Sequence, residues 1–236
     1  MPDLIARIAE NVTRVRQRIA EAAVRSGRSA KDIALVAVTK SASIPEIRAL
    51  AAAECHDFGE SRPQQLWDRA AELADLPIRW HMIGHFQRNK VRRTVPLLAM
   101  IHSVDSQRLA ETIHMEIQTS DVPVACRPLP VLLEVNTSGE EAKGGLQPNE
   151  VEPFLTVMAG YRNLAVRGLM CMASLEGGLD AARRNFAALR ELRDRLRNNC
   201  PTGVSLDELS MGMSGDFEVA IEEGATIVRV GSALFE

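Results

Sequence analysis

Short apolar runs alternate with amphipathic stretches from one end of this 236-residue chain to the other. The opening MPDLIARIAENVTRVRQRIAEAAVRSG has the spacing of an amphipathic helix over roughly 3–26. IALVAVTK at 33–40 then reads as a buried strand. A helix follows near 44–53, with Ser43 and Pro45 as N-cap and first-turn proline. Further strands are predicted at CHDFGE (55–60), RWHMIG (79–84) and LAMIHSVDS (98–106), with helices near 62–75, from about 87, and through about 119. The second half keeps the rhythm. Strands fall at PVLLEVN (130–136), LAVRGLM (164–170), within SLDELSMG, and at ATIVRVG (225–231), with helices from about 148, near 180–198 and near 215–223.

Strands separated by helices imply right-handed parallel crossovers, and eight of them favour a closed (β/α)8 barrel over an open sheet. A Rossmann-type sheet is the alternative, but no GxGxxG follows the first strand. One count does not close. Only GSALFE follows the eighth strand, too short for a full helix, which leaves the extra N-terminal helix to cover that gap. With no linker, low-complexity tract or repeat, residues 1–236 read as one domain.

Composition narrows the function. A net charge of −3 with both signs scattered offers no basic field for a nucleic-acid backbone. No apolar run approaches a membrane span and the first segment is not a signal peptide, so the expected location is the cytoplasm. Cys55, Cys126, Cys171 and Cys200 lie far apart, with none of the close spacing of a zinc site, and are read as reduced thiols. Of the 28 cations only Lys31, Lys40, Lys90 and Lys143 are lysine. Where arginine is the habitual cation, a lysine hints at a need for an amine.

Active sites of such barrels sit at the C-terminal ends of the strands. Ala34, Val36, Val38 and Lys40 share one face of the first strand, which places Lys40 at that end. Two readings stay open: a snorkelling or ion-paired lysine, or an amine that burial renders neutral and fit to form a Schiff base. A phosphate site is suggested independently by the loops after strands seven and eight. These read Ser210-Met211-Gly212-Met213-Ser214-Gly215-Asp216 and Arg229-Val230-Gly231-Ser232. Small residues admit an anion to the backbone N–H groups, each loop opens a helix, and the Ser210 and Ser232 hydroxyls add donors. Arg229, inward with Ala225 and Ile227, is placed to meet either phosphate or ring; the plainer reading of both loops is caps and turns.

Other polar residues end strands. Asn136 either bonds a ligand hydroxyl or caps its loop, with Glu134 on the same face, and Glu60 ends the second strand. His81 is read as a hydrogen-bonded structural histidine, and Met170 and Cys171 as packing.

The motifs AVTK (37–40), FGES (58–61), WHMIGHFQRNK (80–90), SVDS (103–106), VNTSGEEAKGG (135–145), RGLM (167–170), LSMGMSGD (209–216) and VRVGSALF (228–235) occur in order along the chain. In them the sequence resembles the pyridoxal phosphate homeostasis proteins, also called the YggS/PROSC family, from the first helix to the last strand. The resemblance implies a barrel like the alanine racemase N-terminal domain, with pyridoxal 5′-phosphate (PLP) as a Schiff base on Lys40. It implies phosphate and ring contacts from Ser210, Arg229, Gly231 and Ser232, with Asn136, Met170 and Asn89 as outer members. It further implies a role in PLP homeostasis or carriage without strong catalysis, apo PLP-dependent enzymes as partners, and no metal; the chain is expected to be a monomer. Two positions depart from the family: Ser61 stands where Asn is usual, and the chain closes at Glu236 where the family continues through Gly and Arg.

The main rival is a PLP-dependent racemase or decarboxylase. Such enzymes set a tyrosine or cysteine from a second domain opposite the lysine. Here the single tyrosine, Tyr161, precedes strand six at the other end of the barrel, leaving Cys171 as the substitute. A sugar-phosphate barrel enzyme would explain the phosphate loops but leave Lys40 without its carbonyl.

Overall fold

Strands that are apolar on both faces need cover on both, and here a sheet closed on itself supplies the inner half. The computed structural model describes residues 2–120, 127–140, 144–174 and 176–236, so Cys126 and Lys143 lie outside the described residues. The strands are β1 (Ala34–Val38), β2 (Asp57–Glu60), β3 (Arg79–Met82), β4 (Leu98–Val104), β5 (Leu129–Glu134), β6 (Leu164–Met170), β7 (Glu208–Ser210) and β8 (Ile227–Val230). They pair in parallel in chain order, and β8 returns to β1 from Ala34↔Ile227 to Ala37↔Val230. The sheet is the expected closed (β/α)8 barrel. β1 and β5 therefore stand on opposite sides of it.

The helices are α1 (Pro2–Arg25), α2 (Ile44–Ala52), α3 (Pro63–Glu72), α4 (Val91–Thr94), α5 (Gln107–Thr119), α6 (Val151–Met158), α7 (Gly178–Arg197) and α8 (Phe217–Glu222). The helix expected from about 87 is broken into a 3-10 turn, the single turn of α4 and a second 3-10 turn, Val95–Leu97. Pro96 lacks an N–H and so cannot continue the α-helical ladder; Val95 before it keeps helical backbone, with φ −52° and ψ −41°, and the chain passes into the second 3-10 turn.

α1 fills the place of the missing eighth outer helix. It packs on α2, on α8 and on the 3-10 turn after β8. Ile8, Val12, Val15 and Ile19 form its buried stripe. Asn11 Nδ2 donates to the Glu236 carbonyl at 2.6 Å, and Arg18 forks onto Glu218 with both bonds at 2.9 Å.

The main core lies between strands and helices, around Phe58, Phe186 and Phe217. Inside the barrel a smaller apolar plug of Val36, Leu132, Met170 and Ile227, with Met100 against it, fills part of the interior. Two glycines let the wall close around it. A Cβ on Gly59 would stand 3.0 Å from Val36 Cγ1, and one on Gly168 would stand 1.8 Å from the Glu208 carbonyl oxygen.

Candidate functional site

A cavity of about 680 Å³ opens where the strands end, a volume suited to a small organic ligand. Its walls come from the segments following all eight strands, among them Gly144 after β5 and Met172 after β6, and from Glu134 at the end of β5.

Lys40 stands on this wall two residues past β1, in a turn tied down on both sides. Thr39 N–H donates to the Gly59 carbonyl at 3.1 Å, Gln65 Nε2 to the Lys40 carbonyl at 3.3 Å, and Arg69 Nη2 to the Ala42 carbonyl at 2.6 Å. The buried Glu60 carboxylate gathers the Thr39 hydroxyl and the Arg69 guanidinium. The backbone is held while the side chain stays free. Lys40 is exposed, so the expected burial of its amine is not found and the side chain reaches the open mouth.

Across the β8–β1 side, two loops form an anion-receptive lip. The Ser214 hydroxyl accepts from Gly231 N–H at 3.0 Å and from Ala233 N–H at 3.4 Å, stitching the loop after β7 to the loop after β8. Among the described residues the N–H groups of Ser214, Gly215 and Ser232 have no protein acceptor. Gly212 makes the turn possible. Its φ is +93°, and a Cβ there would meet Ala220 Cβ at 2.6 Å. With α8 only six residues long, the receptive groups are loop N–H bonds, not the end of a long helix dipole.

Arg229 forms part of the floor and is 4% exposed. Its Nη2 donates to the Cys171 carbonyl at 2.9 Å and its Nη1 to Ser210 Oγ at 2.7 Å. Burial pushes its pKa down, but a guanidinium stays cationic in proteins. Below it, Ser210 Oγ lies 2.8 Å from His102 Nδ1, and His102 Nε2 lies 2.9 Å from His81 Nδ1. His81 Nε2 in turn lies 3.0 Å from Asp57 Oδ1. Burial, then the neighbouring His81 and Arg229, hold His102 well below the ordinary imidazole range. Burial pushes Asp57 up, but hydrogen bonds from His81 and Arg79 outweigh it and leave the carboxyl at about 2.

The facing wall is acidic. Glu134 is 7% exposed, and burial followed by the Asp105 charge raises its pKa. Asp105 accepts from the Ser106 hydroxyl at 3.0 Å and lies 3.4 Å from His85 Nδ1.

Of the residues expected at the site, Lys40, Arg229, Gly231 and Ser232 line this cavity. Four others do not. Ser210 is fully buried beneath Arg229, because β7 ends on it and the loop begins only afterwards. Met170 belongs to the apolar plug. Asn136 folds its side chain onto its own loop, donating to the Glu140 carbonyl at 2.9 Å and accepting from Gly139 N–H at 3.1 Å. Asn89 is exposed in the 3-10 turn Arg88–Lys90, away from the cavity wall. Ser214 and Gly215, part of the same Ser-Met-Gly-Met-Ser-Gly loop but not singled out from the sequence, do line the cavity; the shortness of β7 is the signal that points to the later serine. His81 and His102 share a relay where one structural histidine was expected.

Fold and site together define a closed parallel (β/α)8 barrel whose C-terminal mouth holds a cavity lined by a lysine and by the loop residues Ser214, Gly215 and Ser232. The family described as alanine racemase, N-terminal domain, matches residues 5–236. The chain is 41% identical over 228 residues to the pyridoxal phosphate homeostasis protein of Pseudomonas aeruginosa, covering 97% of this chain and 94% of that one. A solved structure of PipY from Synechococcus elongatus with PLP bound superposes with TM-score 0.83 at 33% identity, covering 97% of this chain and 100% of that one. Alanine racemase from Corynebacterium glutamicum shares the fold at 16% identity and TM-score 0.71, and the match covers 98% of this chain and 61% of the racemase. The chain belongs to the pyridoxal phosphate homeostasis protein family.

Proposed function

We propose that this chain binds PLP in the cavity as a Schiff base on Lys40 and serves PLP homeostasis or carriage in the cytoplasm, as a monomer, without strong catalysis of its own. The observation that carries this is the pairing of Lys40 with the lip. Among the described residues Lys40 is the one lysine on the cavity wall, and it shares that wall with the N–H groups of Ser214, Gly215 and Ser232. PLP brings an aldehyde that condenses reversibly with an amine and a ring that withdraws electrons from what is attached to it.

In this reading the lip takes the phosphate and Arg229 faces the ring. A guanidinium is a donor only, so it opposes protonation of a ring nitrogen beside it and weakens the ring as an electron sink. That suits holding over transforming. The racemase reading needs an acid opposite Lys40. Tyr161 packs against His114, with ring centroids 5.2 Å apart, and Cys171 is buried, so neither lines the cavity. Apo PLP-dependent enzymes are the proposed recipients. The test is borohydride reduction of the PLP-loaded chain followed by peptide mass spectrometry. The adduct is expected on Lys40, and Lys40→Ala and Lys40→Arg should both lose it. An adduct on Lys90 or Lys143 instead would refute the assignment.

A further inference from the structure

We infer that Asp57, His81, His102 and Ser210 form a positioning relay, a hydrogen-bond chain of single direction that crosses the barrel interior and fixes Arg229 at the cavity floor. The inference rests on PLP occupying that cavity, but the direction of the chain follows from the protein alone.

The direction is set at the Arg229 end. Guanidinium has no acceptor, so Nη1 must donate to Ser210 Oγ at 2.7 Å. The hydroxyl proton of Ser210 is then available to His102 Nδ1 at 2.8 Å, the acceptor that leaves no proton of the pair unused. A neutral imidazole accepting at Nδ1 carries its proton on Nε2. That proton points at His81 Nδ1, 2.9 Å away, which must accept in turn. His81 therefore carries its proton on Nε2 and donates to Asp57 Oδ1 at 3.0 Å.

The reverse arrangement is disfavoured. It needs a proton on His102 Nδ1, aimed at a Ser210 oxygen that already receives Arg229, and the serine proton would lose its acceptor. A doubly protonated His102 would place a second cation in a fully buried spot beside Arg229. The groups facing the relay suit the forward direction, with Arg229 cationic at the cavity end and Asp57 anionic at the other. Arg79 binds the same Asp57 carboxylate through Nε at 2.7 Å and keeps it ionised.

The relay decides which part of a ligand Arg229 can meet. With Nη1 on Ser210 and Nη2 on the Cys171 carbonyl, the guanidinium is pinned to the floor and kept from rising to the lip. Phosphate is left to the loops, and the arginine is reserved for the ring.

Nitrogen-15 NMR of the histidine rings in the full, cofactor-free chain reads the relay directly. At neutral pH, His81 and His102 should each show a bare Nδ1 and a protonated Nε2. A Nδ1–H tautomer or an imidazolium at His102 would overturn the relay. Affinity measurements then separate positioning from packing. His102→Phe should weaken PLP and phosphate-free pyridoxal by the same factor, about tenfold for one bond in a chain ending on a charge. His102→Gln, which keeps a donor and an acceptor, should recover part of the loss, and binding of inorganic phosphate should not change. Unchanged affinity for both ligands in His102→Phe, or a loss confined to the phosphorylated one, would also overturn the relay. Absence of the Lys40 adduct in the wild type would overturn the carrier reading alone, because the tautomers are read without cofactor.

Discussion

Replacing Ser214 by alanine isolates the phosphate contribution. The Ser214 hydroxyl holds the N–H groups of Gly231 and Ala233, at 3.0 and 3.4 Å, and so keeps the two halves of the lip together. The substitution deletes one hydroxyl that an entering phosphate would use and leaves two loop N–H groups without that acceptor. A hydrogen bond to a charged group contributes about 1.5–3 kcal/mol, so losing the equivalent of one such bond should weaken PLP by about 10- to 150-fold. The assay is a pair of titrations, one with PLP and one with pyridoxal, followed by the absorbance change on condensation with Lys40. PLP affinity should fall while pyridoxal affinity stays within about twofold, since only the first carries the phosphate. Ser210→Ala serves as the contrast. Buried between Arg229 and His102, it should weaken both ligands alike. Equal losses for the two ligands in Ser214→Ala, or no loss in either, would refute the placement of phosphate at the lip.

Two further outcomes follow from the wall and from the cavity. Gly168→Ala would push a Cβ to 1.8 Å from the Glu208 carbonyl and force β6 from β7; the cost should reach about 3 kcal/mol or more, lowering the melting temperature by at least about 6 °C, and a melting curve within about 2 °C of wild type would count against the close approach. Racemisation and decarboxylation of common amino acids by the PLP-loaded chain, followed by chiral chromatography and carbon dioxide release, should stay far below the roughly 10 per second of a median enzyme, and turnover near that value would replace the carrier reading with the enzyme reading.

The strand pattern made the barrel legible because each strand is a short apolar run between amphipathic stretches. β6 was placed at its observed bounds, Leu164–Met170, where its apolar run meets a turn before it and the loop after it. The substitution of α1 for an eighth outer helix could be argued from counting alone. The broken segment around α4 was harder, since its helical spacing outvoted Pro96. Within the site, Lys40, Arg229, Gly231 and Ser232 could be placed because side chains alternate along a strand and the loops after strands seven and eight follow directly. Ser210 lies off the cavity wall for a reason of register. It is the last inward residue of β7, so its side chain points into the barrel, while Ser214 is the serine that reaches the lip. The relay was invisible for a different reason. His81, His102 and Ser210 lie on β3, β4 and β7, and only the closed sheet brings them within hydrogen-bond distance. Periodicity shows which face a residue takes, not which neighbour it meets across an interior.

Holding a reactive aldehyde and using it make different demands on a protein. Holding needs an amine free to condense and release, a grip on the phosphate, and a ring environment that does not promote bond breaking in what is attached. In the proposed reading Lys40 meets the first demand, standing exposed on a turn whose backbone is fixed by Gln65, Arg69 and Glu60. The same reading gives the second to the loops at Ser214 and Gly231. It assigns the third to Arg229, behind which the buried polar groups are concentrated: two histidines, a serine and a distal carboxylate run in one hydrogen-bonded line to the guanidinium. Using the aldehyde would instead call for a proton donor set across from Lys40, and the far wall offers Glu134 and Asp105. Glu134 is the nearer to such a role, since burial raises its pKa. Yet an ionisable group on the far wall does not by itself make the ring an electron sink, and in the proposed placement Arg229 would act against that from the floor. In the proposed carrier reading, this balance of groups serves reversible binding, and the turnover assays above test it.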